Sequence, residues 1–177
     1  MKFTPFFVGL FLLLFITSCS KNRFEIDTKQ VDLNLKFERF DNDFMALDTS
    51  RINQQALVLQ KKYGDFFNYY FNQVFRFGSP DSSAFETNVK ALFQDSMYAE
   101  VYKECQLVFK DISGIENETN EAFKYIKYYF PDKKIPRLAM HISGFNQSIV
   151  ITNTFLSVSI DNYLGADYAP YKSIAYD

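Results

Sequence analysis

Tryptophan is absent from this chain, histidine occurs once and cysteine only twice. The lone His141 restricts the chemistry on offer. Catalytic zinc takes three protein ligands, commonly with two histidines, and no His-Glu-x-x-His pattern occurs. A serine or cysteine nucleophile would need His141 as its base, and Ser143-Gly144 nearby has no nucleophile-elbow pattern around it. His141 is therefore expected to be a strand histidine, hydrogen-bonded or solvated, on the face opposite Leu138, Met140 and Ile142. No glycine-rich phosphate loop precedes a helix. The acidic groups, Asp41 with Asp43 and Glu116 with Glu118 and Glu121, lack the alternating oxygen ligands and turn glycine of a calcium loop. They read as solvated or helix-N-terminal charges. Basic excess is missing too: 19 Lys and Arg against 21 Asp and Glu leave a net charge of −2. Nucleic acid, which calls for a basic stripe to replace released counterions, is not an expected partner. No metal, cofactor or small-molecule substrate is expected, and the chain reads as non-enzymatic. Internal repeats and low-complexity tracts are also lacking.

Long apolar runs are equally scarce, and the one at the start is informative. Met1-Lys2 forms a short basic segment, and Phe6 to Phe15 is apolar throughout, with Gly9 inside it. Ile16-Thr17-Ser18 then leads to Cys19. A run of about ten residues is short for a bilayer core of ~30 Å, and the arrangement is that of a cleaved export signal. The site resembles the lipobox of bacterial lipoproteins, which implies residues 1–18 as signal peptide and Cys19 as the lipid-attachment residue. Several acyl chains, at ~0.8 kcal/mol per buried methylene, hold a protein on a membrane far better than one. With Cys19 consumed by lipid, Cys105 has no partner, so no disulfide framework is expected.

The body is rich in Phe, with 21, and Tyr, with 12. Exposed aromatics can stack on sugars or form protein interfaces, but as large apolar side chains they first of all fill a core. Residues 19–29 read as a lipidated tether and 30–177 as a single domain. Val31, Leu33, Leu35 and Phe37 alternate with polar residues, as in a half-buried strand, and Phe40 and Phe44 continue it less regularly. Helical spacing follows at Ile52, Ala56, Leu59 and Tyr63, with Asp48 or Thr49 as N-cap and Gly64 as the stop. A second helix starts near Asp65 and a third at Ser83, whose spacing to Glu86 is that of a capping box. A fourth carries Tyr98, Val101, Tyr102, Cys105, Val108 and Phe109 on its apolar face, which puts Cys105 on the buried side. A fifth runs from about Asn117 to Phe130, with Ala122, Phe123, Ile126, Tyr129 and Phe130 inward. Strands are expected within Ile135–Ser143, Ser148–Thr152 and Thr154–Ile160, the last two as a hairpin around Asn153. Helices followed by strands define an α+β domain: an N-terminal strand, about five helices, then a C-terminal antiparallel hairpin or sheet.

Three late segments resemble a known pattern: Ser143-Gly144-Phe145 at a strand end, Asp161-Asn162-Tyr163-Leu164-Gly165 after the hairpin, and Asp167-Tyr168 followed by Tyr171. Together with Phe37-Glu38-Arg39-Phe40-Asp41 and the lipobox, they are similar to the gliding motility lipoprotein GldB family. The resemblance covers essentially the whole chain. It implies an outer-membrane lipoprotein facing the periplasm, anchored by palmitate-type acylation, that supports gliding and associated secretion machinery by protein–protein interaction. The family is in turn distantly similar to predicted zinc peptidases, which keeps a truncated zinc-peptidase relative as one alternative; a carbohydrate-binding envelope lipoprotein is another. Relatives continue beyond the equivalent of Asp177, so the chain reads as a partial member. Its apolar hairpin (Val150, Ile151, Phe155, Leu156, Val158, Ile160) is then expected to stand uncovered, with Tyr163, Leu164, Tyr168, Tyr171 and Tyr176 leading into no further element.

Overall fold

A computed structural model describes residues 27–174. Cys19, the signal segment 1–18, the tether up to residue 26 and Tyr176 lie outside the described residues. The chain runs β1 (Phe37–Arg39), α1 (Phe40–Met45), α2 (Ile52–Tyr69), α3 (Ser83–Gln94), α4 (Ser96–Val108), α5 (Ser113–Tyr129), β2 (Arg137–His141), β3 (Ile149–Ile151), β4 (Phe155–Ser159) and α6 (Ala169–Ile174). Short 3₁₀ turns cover Thr28–Gln30 and Ile160–Tyr163, and a π-turn, Tyr70–Val74, extends α2. This is the expected α+β order.

Strand pairing is more mixed than a hairpin alone would give. The sheet order is β1-β2-β4-β3; β1 and β4 both run parallel to β2, and only β3 with β4 is antiparallel. Alternation along each strand gives the sheet two unlike faces. One bears Ala139, Val150 and Phe155 and packs into an aromatic core built on Phe40, Phe44, Tyr63, Phe66, Tyr70 and Phe71. Phe40 is the hub. Its ring meets Tyr63, Phe66 and Tyr70 edge-on at centroid distances of 4.9, 5.0 and 4.8 Å, the orientation that ring quadrupoles favour. The other face bears Met140 and packs, with Ile142 and Ile160 beyond the strand ends, on α4 and its C-cap through Tyr98, Val101, Cys105 and Phe109. Tyr102 is partly covered, and Val108, expected on this apolar face, is exposed because it lies at the open end of the helix.

Helix starts follow side-chain caps. Ser82 caps α3 by accepting from the Phe85 N–H at 3.2 Å, and Asp95 caps α4 by accepting from Tyr98 at 2.8 Å. The cap of α3 is thus one residue earlier than the Ser83–Glu86 spacing indicates, and Glu86 pairs with Lys90 instead. At α2 the residue in the cap position is Arg51. Asp48 holds the preceding turn, accepting from the Ser50 N–H at 2.9 Å and Arg51 Nε at 3.0 Å. Gly64 breaks α2 in two with φ 52° and ψ −121°, a conformation from which a Cβ is excluded sterically.

Three expectations need correction. Residues 31–36 are extended but, among the described residues, form no ladder; β1 covers only Phe37–Arg39. Phe40 and Phe44 belong to helix α1 rather than to a continued strand, because their rings turn together into the aromatic core. Their backbone is held by a helix: Asn120 accepts from the Leu35 N–H at 2.6 Å and donates to its carbonyl at 2.9 Å, while Glu116 accepts from the Phe37 N–H at 3.1 Å. Consequently α5 turns a polar side inward. Glu116 is its buried residue, whereas Ala122, Ile126, Tyr129 and, just beyond its end, Phe130 are exposed and Phe123 is half-buried. In the hairpin, Val150, Phe155 and Ile160 are buried, Leu156 and Val158 are partly covered, and Ile151 remains exposed. The tyrosines after it do lead into an element, α6, and Phe145 packs against Tyr168 and Tyr171.

Candidate functional site

The polar residues of the interior gather at the ends of β2 and β4. Past β2, the chain turns through Gly144 and Phe145, both left-handed at φ 66° and 65°. That conformation is natural for glycine and strained for phenylalanine. The turn brings the N–H groups of Ser143 and Phe145 onto the fully buried carboxylate of Asp161, at 3.2 and 2.7 Å. Ser159 donates its hydroxyl to the same carboxylate. Charge-assisted bonds of this kind are about twice as strong as neutral ones, which is what holds Phe145 in its strained state. Asp161 also anchors the following turn: its carbonyl accepts from Tyr171 Oη at 2.5 Å, and that oxygen accepts from the Leu164 N–H at 2.9 Å. Ser143-Gly144-Phe145, Asp161 and Tyr171 are therefore one structural knot, although they are scattered in sequence.

His141 lies one strand face away from the Met140 side, as alternation indicates, and is completely buried. Its Nδ1 is 2.8 Å from Ser157 Oγ, and the Ser157 hydroxyl donates to the Ala139 carbonyl at 3.1 Å. With the Ser157 O–H directed at the backbone carbonyl, its oxygen is left to accept from the His141 Nδ1–H, the tautomer in which Nε2 is unprotonated. Among the described residues Nε2 has no hydrogen-bond partner; the ring stands edge-on to Phe66 and Tyr70 at 5.4 and 5.7 Å. Burial pulls its pKa down to about 3, so the imidazole is neutral across the physiological range. It does not meet Ser143, whose Oγ instead accepts from the Gln147 N–H at 3.2 Å. A nucleophile needs a base lone pair aimed at its hydroxyl and access to substrate; the His141–Ser157 pair has neither.

A second polar cluster ties β1 to α4. Arg39 donates to Asp41 through Nε at 2.9 Å and Nη2 at 2.6 Å, and reaches the Phe109 carbonyl at 3.2 Å. Gln106 closes the cluster, donating to Asp41 at 2.9 Å and accepting from Arg39 at 3.0 Å. Asp41 does sit in the first turn of α1, but it is buried and paired rather than solvated. Glu116 is likewise buried, beside Lys36 Nζ at 2.6 Å. Asp43 bridges Lys62 and Tyr63 at the surface, and Glu121 pairs with Lys124 and Thr28. Cys105 is free and buried, and desolvation pushes its thiol pKa well up, which leaves it an inert apolar group. Among the described residues no group of three or more His, Cys, Asp or Glu side chains is placed to hold a metal ion.

The roles of Ser157 and Ser159 were legible only indirectly. They share a strand face with Phe155, and hydroxyls on a core face need internal partners.

These arrangements define an α+β domain whose buried carboxylates and hydroxyls tie its own loops, strand ends and helices together. The family model of gliding motility protein GldB matches residues 21–177, and the chain belongs to that family. Neither a curated protein nor a solved structure matches it. Family membership gives the chain a role in gliding motility and an association with the cell envelope as a lipoprotein.

Proposed function

We propose that this chain is a non-catalytic lipoprotein, anchored through Cys19 to the outer membrane and facing the periplasm, that supports the gliding machinery by binding partner proteins. The carrying observation is the outer side of α5. This helix uses Glu116 and Asn120 to grip the N-terminal segment and leaves Ile126, Tyr128, Tyr129 and the adjacent Phe130 exposed, the last three at 51, 52 and 63 %. Contiguous exposed apolar side chains on a soluble domain mark interaction surfaces. Tyr128 and Tyr129 stand at 89° to one another, which does not favour the coplanar array that stacks on sugar rings.

Three experiments test the reading. Changing Cys19 to Ala should abolish incorporation of labelled palmitate and release the protein from membranes; undiminished labelling would remove Cys19 as the anchor. Tyr129→Asp with Phe130→Asp, both at exposed positions, should leave protein levels intact and impair gliding. Normal gliding in that variant would show that partners bind elsewhere. Elemental analysis after dialysis against trace zinc should find no stoichiometric metal; one tightly held zinc per chain would overturn the non-catalytic reading.

A further inference from the structure

Strand β3 ends the sheet, with β4 on one side and, among the described residues, no strand on the other. In an antiparallel pair, the residues that exchange hydrogen bonds alternate with residues whose N–H and C=O point the other way. On β3 the inward positions are marked at both ends. The Ser148 carbonyl accepts from the Ser159 N–H at 2.9 Å, and the Thr152 N–H donates to Phe155 at 2.9 Å. Counting by two from either end makes Val150 inward as well, opposite Ser157. Ile149 and Ile151 therefore direct their backbone groups at the open edge. Their side chains are exposed too, at 52 and 71 %.

Natural edge strands are protected by charge, proline or a covering segment. Here protection by charge is lacking: from Ile142 to Ile160 the sequence contains no Asp, Glu, Lys or Arg, and no proline. The groove beside the edge measures about 610 Å³ and is lined by Asn68, Tyr69, Asn72 and Gln73, with Asp65 as its one charged residue. The Asp65 carboxylate is already occupied by the Thr154 hydroxyl and N–H.

The strand also reads almost the same in both directions: Ser148-Ile149-Val150-Ile151-Thr152. A two-fold interface needs a self-complementary patch, and this strand supplies one. We infer that β3 is a homodimerisation edge, pairing antiparallel with β3 of a second copy about a two-fold axis at Val150. In that register Ile149 of one copy opposes Ile151 of the other, at both ends of the strand. These are the residues whose backbone groups are free for pairing, so the register satisfies them and places isoleucine against isoleucine on the same sheet face. Thr152 opposes Ser148, so the two hairpin turns, each with Asp65 held at Thr154, fall at opposite ends of the paired strands and the carboxylates stay apart. The two four-stranded sheets become one of eight strands. This inference rests on the strand geometry and is independent of the proposed function.

The full chain, purified in detergent, is examined for mass by light scattering and for amide exchange. A concentration-dependent dimer is expected, with the Ile149 and Ile151 amides protected alongside Val150. Ile151→Lys, at a solvent-facing position, should raise the dimer dissociation constant roughly tenfold or more, since it replaces both cross-strand isoleucine pairs. It should also free the backbone amides at positions 149 and 151 while Val150 stays protected by β4. Ile151→Val should behave as the parent. A monomer at all concentrations with fast exchange at Ile149 and Ile151 overturns the proposal, as does a dimer insensitive to the lysine. Protection of those amides in a chain that is monomeric overturns it as well, since the edge is then taken by something other than a second copy.

Discussion

Among single residues, His141 and Asp161 have the largest consequences. With its folded pKa near 3 and an unfolded value near 6.5, His141 lets the unfolded chain take up a proton that the native state refuses. Stability is therefore fully retained above about pH 6.5 and falls as the pH drops toward 3, by ~2 kcal/mol at pH 5. Urea unfolding between pH 7 and 5 should reveal that slope. His141→Leu should flatten it, because Ser157 keeps its bond to Ala139 and nothing is orphaned. A slope unchanged in the variant would assign the effect to carboxylates. At Asp161, replacement by Asn would set an amide NH₂ against converging donors from Ser143, Phe145 and Ser159. A loss of about 3 kcal/mol is expected, read by denaturant midpoint, with freer exchange at Phe145. Sequence alone indicated that His141 lies on the side opposite Met140, because strand alternation is local. It could not indicate that Asp161 would fill the Ser143–Phe145 turn, since that contact depends on how two loops meet across the sheet.

At the level of elements, helix periods in the sequence located α2, α3 and α4 well, because their apolar stripes are continuous and wide. Helix α5 defeated the same logic. Its apolar residues do fall at helical spacing, but the side chains that bury are those that satisfy a neighbour, and the bare backbone of residues 31–36 needs Glu116 and Asn120 more than it needs Ile126. Asn120→Ala should accordingly raise amide exchange at Leu35 far more than within α5 itself; equal protection would show that other contacts hold the segment. The β1–α4 connection is electrostatic. Arg39→Ala leaves the buried Asp41 carboxylate with Gln106 alone and should cost about 3 kcal/mol. Adding Asp41→Ala should recover part of that loss, and a double-mutant cycle with no coupling would show that the pair acts independently.

For the whole molecule, the expected abundance of ring-filled core is realised, and it centres on Phe40. Truncating it to Ala empties a space bounded by Phe44, Tyr63, Phe66, Tyr70 and Phe71. The cost should be ~3–5 kcal/mol, a large share of the ~5–15 kcal/mol that holds a typical domain folded. A calorimetric melt lowered only slightly would mean that the surrounding rings collapse into the gap. No single segment announces this core. Its members come from α1, α2, the π-turn, α3 and the far side of the sheet, so composition could signal its chemistry but not its location.

The parallel pairing of β1 with β2 joins Phe37 to Leu138 and Arg39 to Met140, so the first strand waits for one that is made about a hundred residues later. At synthesis rates of ~5–20 residues per second, that is a delay of roughly 5–20 s, during which Phe40 and Phe44 have no sheet to lie against. Long-range pairing of this kind also slows the search for the native state itself. A nascent chain of this design spends its early life as a sticky, half-made object, and its yield in the cell depends on what shields it until β2 and β4 arrive.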